Sequence, residues 1–181
     1  SSRRFAPSMV VATGFSQILM TGGNQGIDQF CSTNDGVNPI YPDHGSTWAF
    51  EGFDNADLSF SGGSVEGLRI HDSSTFQMVG GTVRRLFLTT DSSVADVFGG
   101  NLNQRIDARG SSVLNFIGGT LNIDLNSYDS ATVNLSGGNV LRDSLVHGLS
   151  TLNVSGTGSI TRNLSAFDQS FVTISGGSVG G

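Results

Sequence analysis

A pair of glycines recurs along this chain at an interval too short for a strand plus a helix, and that spacing confines the fold to a coil of short strands. The first glycines of successive pairs, the sixth interrupted by a threonine, fall at Gly62, Gly80, Gly99, Gly118, Gly137, Gly156 and Gly176, at intervals of 18, 19, 19, 19, 19 and 20 residues. Just before each pair two apolar residues alternate with mostly polar ones: Leu58/Phe60, Phe76/Met78, Ala95/Val97, Leu114/Phe116, Val133/Leu135, Leu152/Val154 and Val172/Ile174. Alternation with period two marks a half-buried strand. One more apolar residue follows each pair: Val65, Val83, Leu102, Leu121, Val140, Ile160 and Val179. A third, less regular apolar stretch completes the unit at Leu68/Ile70, Leu86/Leu88, Ile106, Leu125, Leu145 and Leu164/Phe167.

Three apolar stretches within about 19 residues predict a three-sided coil. One coil cannot bury its own apolar side, so neighbours stack and pair strands in parallel. The expected fold is an all-β single parallel β-helix, or β-solenoid, with regular repeats over 57–181 and an irregular cap over 1–56. At a strand spacing of ~4.8 Å the regular part makes a rod on the order of 30 Å long.

The composition agrees. Charged residues make up 13% of the chain, well below the roughly 25% of an ordinary soluble protein. Glycine, serine, threonine and asparagine, which suit turns and exposed strand faces, take their place. All the basic residues are arginine, and the formal charge is −6 with a pI near 4.7, which disfavours nucleic acid as a partner. The single cysteine, Cys31, excludes an internal disulfide framework and leaves only pairing between chains. No stretch reaches the length of a membrane-spanning helix; the segment from Met9 to Met20 is broken by Gly14, Ser16 and Gln17.

The two ends depart from the repeat. QILMTGGNQGI around Gly22 and Gly23 reads as a degenerate coil, and the 40 residues from Gly22 to Gly62 leave room for one more coil with an excursion through NPIYPDHGSTW. That excursion holds Pro39, Tyr41, Pro42 and Trp48 and is expected to be a cap or side loop. The chain opens on Ser1, as after removal of an export signal or where a longer chain has been divided. It stops at SGGSVGG, midway through a coil, with nothing to cover Val172, Ile174 and Val179. Either more coils belong beyond this point or another molecule covers it. The second option predicts head-to-tail stacking between Val172, Ile174 and Val179 at one end and Met9, Val11 and Phe15 at the other, a contact that does not close and so builds filaments.

Outward positions form columns along such a rod. One runs Ser59, Gln77, Asp96, Asn115, Asn134, Asn153, Thr173, in which Asn115, Asn134 and Asn153 can hydrogen-bond in register. Its companion runs Asp57, Thr75, Val94, Val113, Thr132, Thr151, Phe171; the apolar interruptions weaken any ice-ordering role for the threonines. At the corner ahead of these strands Asp72, Asp91, Asp129 and Asp168, followed by Ser74, Ser93, Ser112, Ser150 and Ser170, are expected to cap turns by bonding nearby amides.

The search for chemistry returns little. His44, His71 and His147 have no metal-ligand spacing, and no metal or cofactor is expected. The glycines lack the lysine and following helix of a phosphate loop, and are read as corners of positive φ. A row of Arg69, Arg85, Arg105, Arg142 and Arg162, with Arg84, Asp107, Asp124 and Asp143, is the one stripe that could face an acidic glycan; a solvated, self-compensating surface is the simpler reading. Asn134, Asn153 and Asn163 each begin an Asn-x-Ser glycosylation triplet, the first two as by-products of the repeat.

Units such as DSSTFQMVGGTV and DSSVADVFGGNL resemble the β-helical repeats of bacterial surface proteins, the autotransporter passengers and filamentous-haemagglutinin-like adhesins. The resemblance covers about two thirds of the chain and is one of architecture. It implies export to the cell surface or extracellular matrix. The expectation is a non-enzymatic, secreted structural protein that polymerises end to end; the alternatives are a piece of an adhesin and a polysaccharide-binding or polysaccharide-cleaving protein.

Overall fold

The computed structural model describes residues 10–24 and 49–180, and within them the chain is a parallel β-solenoid without helices. Each coil has three faces. The first carries an eight-stranded parallel sheet that begins with Val10–Ala12 and Ala49–Gly52, continues through Gly67–Ile70, Phe87–Thr89, Ile106–Ala108, Leu125–Ser127 and Ser144–Val146, and reaches Leu164–Ala166. The second face holds the four-residue strands before the glycines, such as Val113–Phe116, and the third the two-residue strands after them, such as Thr120–Leu121. These two faces share one sheet because strand Asp57–Val65 runs unbroken round the corner, pairing first with Thr75–Met78 and then with Thr82–Val83.

Register is constant over the regular coils. Leu114 pairs with Ala95 on one side and Val133 on the other, and Asn115 with Asp96 and Asn134, so residues one coil apart stand in columns. The apolar positions expected to point inward on the second and third faces are buried from Leu58 through Ile160. Each large side chain so placed contributes roughly 1.5–3 kcal/mol relative to exposure. Part of the core is aromatic: Phe76 makes edge-to-face contacts with Phe50 at 6.4 Å and Phe87 at 5.5 Å between ring centres.

The first face corrects the expected pattern. Leu86, Leu88 and Leu145 are half-buried, not in the core, whereas Phe87, Thr89, Ser144 and Val146 point inward. Three consecutive apolar residues, Leu86 to Leu88, offer no alternation to read; pairing of Phe87 with Leu68 and Ile106 decides the register. The inward hydroxyls are satisfied within the coil stack, Thr89 with Ser112 at 3.1 Å, Ser127 with Ser150 at 3.0 Å, and Ser144 to the Leu125 carbonyl at 2.8 Å. Phe167 lies on the exposed corner.

The glycine pair serves two needs. The second glycine has the expected positive φ, +97° at Gly119, whereas a Cβ on the first, Gly118, would strike the carbonyl of Phe98 in the preceding coil. At the opposite corner one column takes the left-handed conformation throughout: Asp54, Asp72, Asp91, Gly110, Asp129, Gly148 and Asp168. The aspartates do not cap their own turn as expected. Asp72 Oδ2 accepts the Asp54 amide at 2.9 Å, Asp129 Oδ2 the Gly110 amide at 2.9 Å and Asp168 Oδ2 the Gly148 amide at 2.9 Å, so each carboxylate ties its coil to the one before. Of the serines that follow, Ser93 donates to the Thr90 carbonyl and Ser150 to that of His147, both at 2.7 Å, whereas the buried hydroxyls of Ser74 and Ser170 have no partner among the described residues.

Strand Gln17–Asn24 pairs directly with Asp57–Val65, and Val10–Ala12 with Ala49–Gly52. Among the described residues no further coil of this stack therefore intervenes between Gly22 and Gly62, and the expected excursion through NPIYPDHGSTW lies outside them. Register shifts after Met20 and Thr21 mark the irregular end. Met9, Cys31, Tyr41, His44 and Trp48 lie outside the described residues.

Coil length varies only at corners. The 20-residue interval comes from Thr157, inserted between Gly156 and Gly158. The 18-residue interval comes from a missing residue between the third and first faces: only Glu66 and Gly67 join Val65 to Leu68, whereas Arg84, Arg85 and Leu86 join their partners Val83 and Phe87.

Candidate functional site

Three surfaces of the rod bear on function: its open ends, the amide ladder of the second face, and the charged columns of the first.

At one end Leu164–Ala166, Phe171–Ile174 and Ser178–Val179 are paired on a single side among the described residues. Ile174 and Val179 are 55% and 39% exposed, whereas Val154 and Ile160, the same positions one coil earlier, are buried. Val172 is half-buried against the core. At the other end Val10–Ala12 and Gln17–Asn24 are likewise paired on one side. Register places Val11 opposite Glu51 in an outward column, yet Val11 is buried, contrary to its expected place in an open end contact, whereas Phe15 stands almost wholly exposed on a turn. Of the residues expected at the ends, Val172, Ile174 and Val179 thus lie across the open core, and Val11 and Phe15 flank it.

On the second face the expected ladder is continuous. Asn153 donates through Nδ2 to Asn134 Oδ1 at 2.9 Å, Asn134 to Asn115 at 2.8 Å, and Asn115 to the Asp96 carboxylate at 2.7 Å. All the amide dipoles run one way and terminate on a charge, an arrangement in which each bond polarises the next.

The arginine row resolves into three columns. Arg85, Arg142 and Arg162 occupy one at the corner, Arg105 stands in the next with Asp124, Asp143 and Asn163, and Arg69 lies mid-face with Asp107, Asn126 and Leu145. Most of these groups pair locally. Arg69 meets Glu51 at 3.0 Å, Arg105 and Arg109 both meet Asp107 at 3.3 and 3.4 Å, and Arg142 meets Asp124 at 3.7 Å. Asp107 is buried and also accepts Asn126 Nδ2 at 3.1 Å, which commits its oxygens to the fold. Asp143 accepts both the backbone N–H and the Nδ2 of Asn163, and the backbone bond, against a smaller effect of burial, holds its carboxyl below the usual range.

Two features of this face were not legible as sites. Asn126 is 4% exposed and its Oδ1 has no partner among the described residues. The corner column of Phe53, His71, Thr90, Arg109, Tyr128, His147 and Phe167 holds two stacks of flat groups on either side of Thr90: Phe53 on His71 at 4.6 Å, and then Arg109 on Tyr128 at 4.5 Å, Tyr128 on His147 at 5.4 Å and His147 on Phe167 at 4.5 Å. The spacing of 18 to 20 residues that defines the coil also predicts this stacking. Because the ring faces are consumed by one another, the column acts as a strut more than as a platform. Asn134 and Asn153 spend their side-chain nitrogens in the ladder, and Asn163 spends its own on Asp143.

Fold and surfaces together define a parallel β-solenoid of about seven turns. Comparisons with protein-family models, curated proteins and solved structures give no match. Among the described residues no helix is long and apolar enough to cross a membrane, and no three His, Cys, Asp or Glu side chains converge as metal ligands.

Proposed function

We propose that this chain is a secreted structural protein whose rods continue one another, coil upon coil, in an extracellular fibre. The observation that carries the reading is the open coil at Leu164–Val179, where Ile174 and Val179 stand exposed in columns that are buried from Phe60 to Val154 and from Val65 to Ile160. A following coil covers such an edge by parallel strand addition. The first coil supplies a compatible surface: among the described residues its strands 10–12 and 17–24 are paired on one side alone, and Gly14 already holds the left-handed corner conformation, with φ of +66°. An aspartate followed by a glycine in that column occurs twice inside the rod, at Asp91–Gly110 and Asp129–Gly148. Asp168 followed by Gly14 of a second copy would be a third. The resemblance to surface β-helix repeats supports export, and in a longer chain the same edge would bear the next coils of an adhesin stalk.

Electron microscopy of the 181-residue chain, beside the double variant Val172→Asp and Ile174→Asp, tests the proposal. Unbranched filaments from the parent and none from the variant are expected. Parent protein that stays monomeric at high concentration sinks the reading.

A further inference from the structure

The short coil leaves a notch. With one residue fewer at the corner after Val65, Glu66 and Gly67 sit back from the surface, while Arg84, Arg85 and Leu86 of the next coil take the longer path. The resulting cleft, of about 490 Å³, is lined by Glu66, Arg84, Arg85, Leu86, Gln104 and Arg105. That volume falls within the range of small-ligand sites, roughly 300–1,000 Å³.

Its charge is unlike that of the molecule. Three guanidiniums face one carboxylate in a chain of formal charge −6. Glu66 spends both oxygens, on Arg84 Nη1 at 3.2 Å and Arg85 Nε at 3.2 Å, and Arg105 meets Asp107 through Nε at 3.3 Å. Each arginine is therefore engaged through one nitrogen among the described residues, and each guanidinium carries further N–H donors in a fork suited to a carboxylate. The three arginine side chains are about half exposed, so those donors are reachable. Leu86 adds an apolar wall and Gln104 a neutral amide, which suit the C–H face and hydroxyls of a sugar.

We infer that this notch binds an acidic saccharide, with the carboxylate of a uronic acid unit held by Arg85 and Arg105. Arg69, Arg142 and Arg162 lie outside it. The step that creates the site is a single missing residue, and it occurs once in the regular repeat. The inference is independent of end-to-end assembly.

The test is titration of the full chain with a trigalacturonate, a neutral trisaccharide and citrate, followed by amide chemical shifts and calorimetry. Arg85→Gln with Arg105→Gln is compared with Arg142→Gln, and circular dichroism checks that all remain folded. Saturable binding of the uronate, weakened at least tenfold by the double substitution and by raising salt from about 20 to about 500 mM, and unchanged by Arg142→Gln, is expected. Absence of uronate binding, equal loss on Arg142→Gln, or citrate bound as tightly as the uronate would each overturn the assignment.

Discussion

Asn134 donates its side-chain N–H to the Oδ1 of Asn115 at 2.8 Å, and on its other side its own Oδ1 accepts from Asn153 at 2.9 Å. The middle amide of the ladder thus holds two neighbours and the last holds one. At about 1 kcal/mol per net hydrogen bond, Asn134→Ala should cost ~2 kcal/mol and Asn153→Ala ~1 kcal/mol. Urea denaturation midpoints measure both; an equal or larger loss at Asn153 contradicts the directional chain.

The left-handed corner makes a second, sharper comparison. Asp129 has φ of 59° and accepts the Gly110 amide. Asp129→Ala loses that bond and keeps the conformational strain, whereas Asp129→Gly loses the bond and relieves the strain. The glycine variant should be the more stable by about 1 kcal/mol, in the range of the penalty for left-handed residues. Thermal unfolding in which alanine equals or exceeds glycine would refute the account of this column.

Acid should release a third contact. The folded carboxyl of Asp143 titrates below its unfolded value, so its contribution to stability is present above the ordinary carboxylate pKa, about 3.9, and fades as pH falls through the depressed folded value. The stability difference between the parent and Asp143→Ala should be full at pH 6 and shrink below about pH 3. A difference that grows on acidification has the wrong sign for this mechanism.

Asn126 offers a gain of stability. Its Oδ1 faces no donor because the next residue in the column is Leu145, half-buried on the outer side. Leu145→Asn would extend the Asp107–Asn126 pair into a ladder like that of the second face. An increase of about 1 kcal/mol is expected from satisfying a buried acceptor, read as a raised denaturation midpoint. A lowered midpoint would mean that packing of the leucine outweighs the bond.

The second and third faces were readable because their strands alternate cleanly and the glycines mark each corner. Phe116 and Leu121 could be placed in the core from spacing alone, and Asn115 beside Asn134 on the surface. The first face resisted because Leu86–Phe87–Leu88 has no alternation and because Ser144 and Ser127 are buried hydroxyls whose partners lie in neighbouring strands or across a corner. The aspartate corner was located but its bonds were assigned within one turn, since sequence adjacency hides a partner 18 to 20 residues away. The same blindness merged three arginine columns into one row. The notch at Glu66 was visible only as an interval of 18, a number that acquires a shape once Val65 and Leu68 are set beside Val83 and Phe87.

The strands of each coil lie across the rod, so the backbone hydrogen bonds between coils point along it. A force pulling the two ends apart loads those bonds a few at a time, and the rod should peel from an end instead of shearing as a block. Each coil released would lengthen the chain by on the order of 60 Å. Under tension, such a rod should yield stepwise and recover as each coil winds back onto a template of its own making.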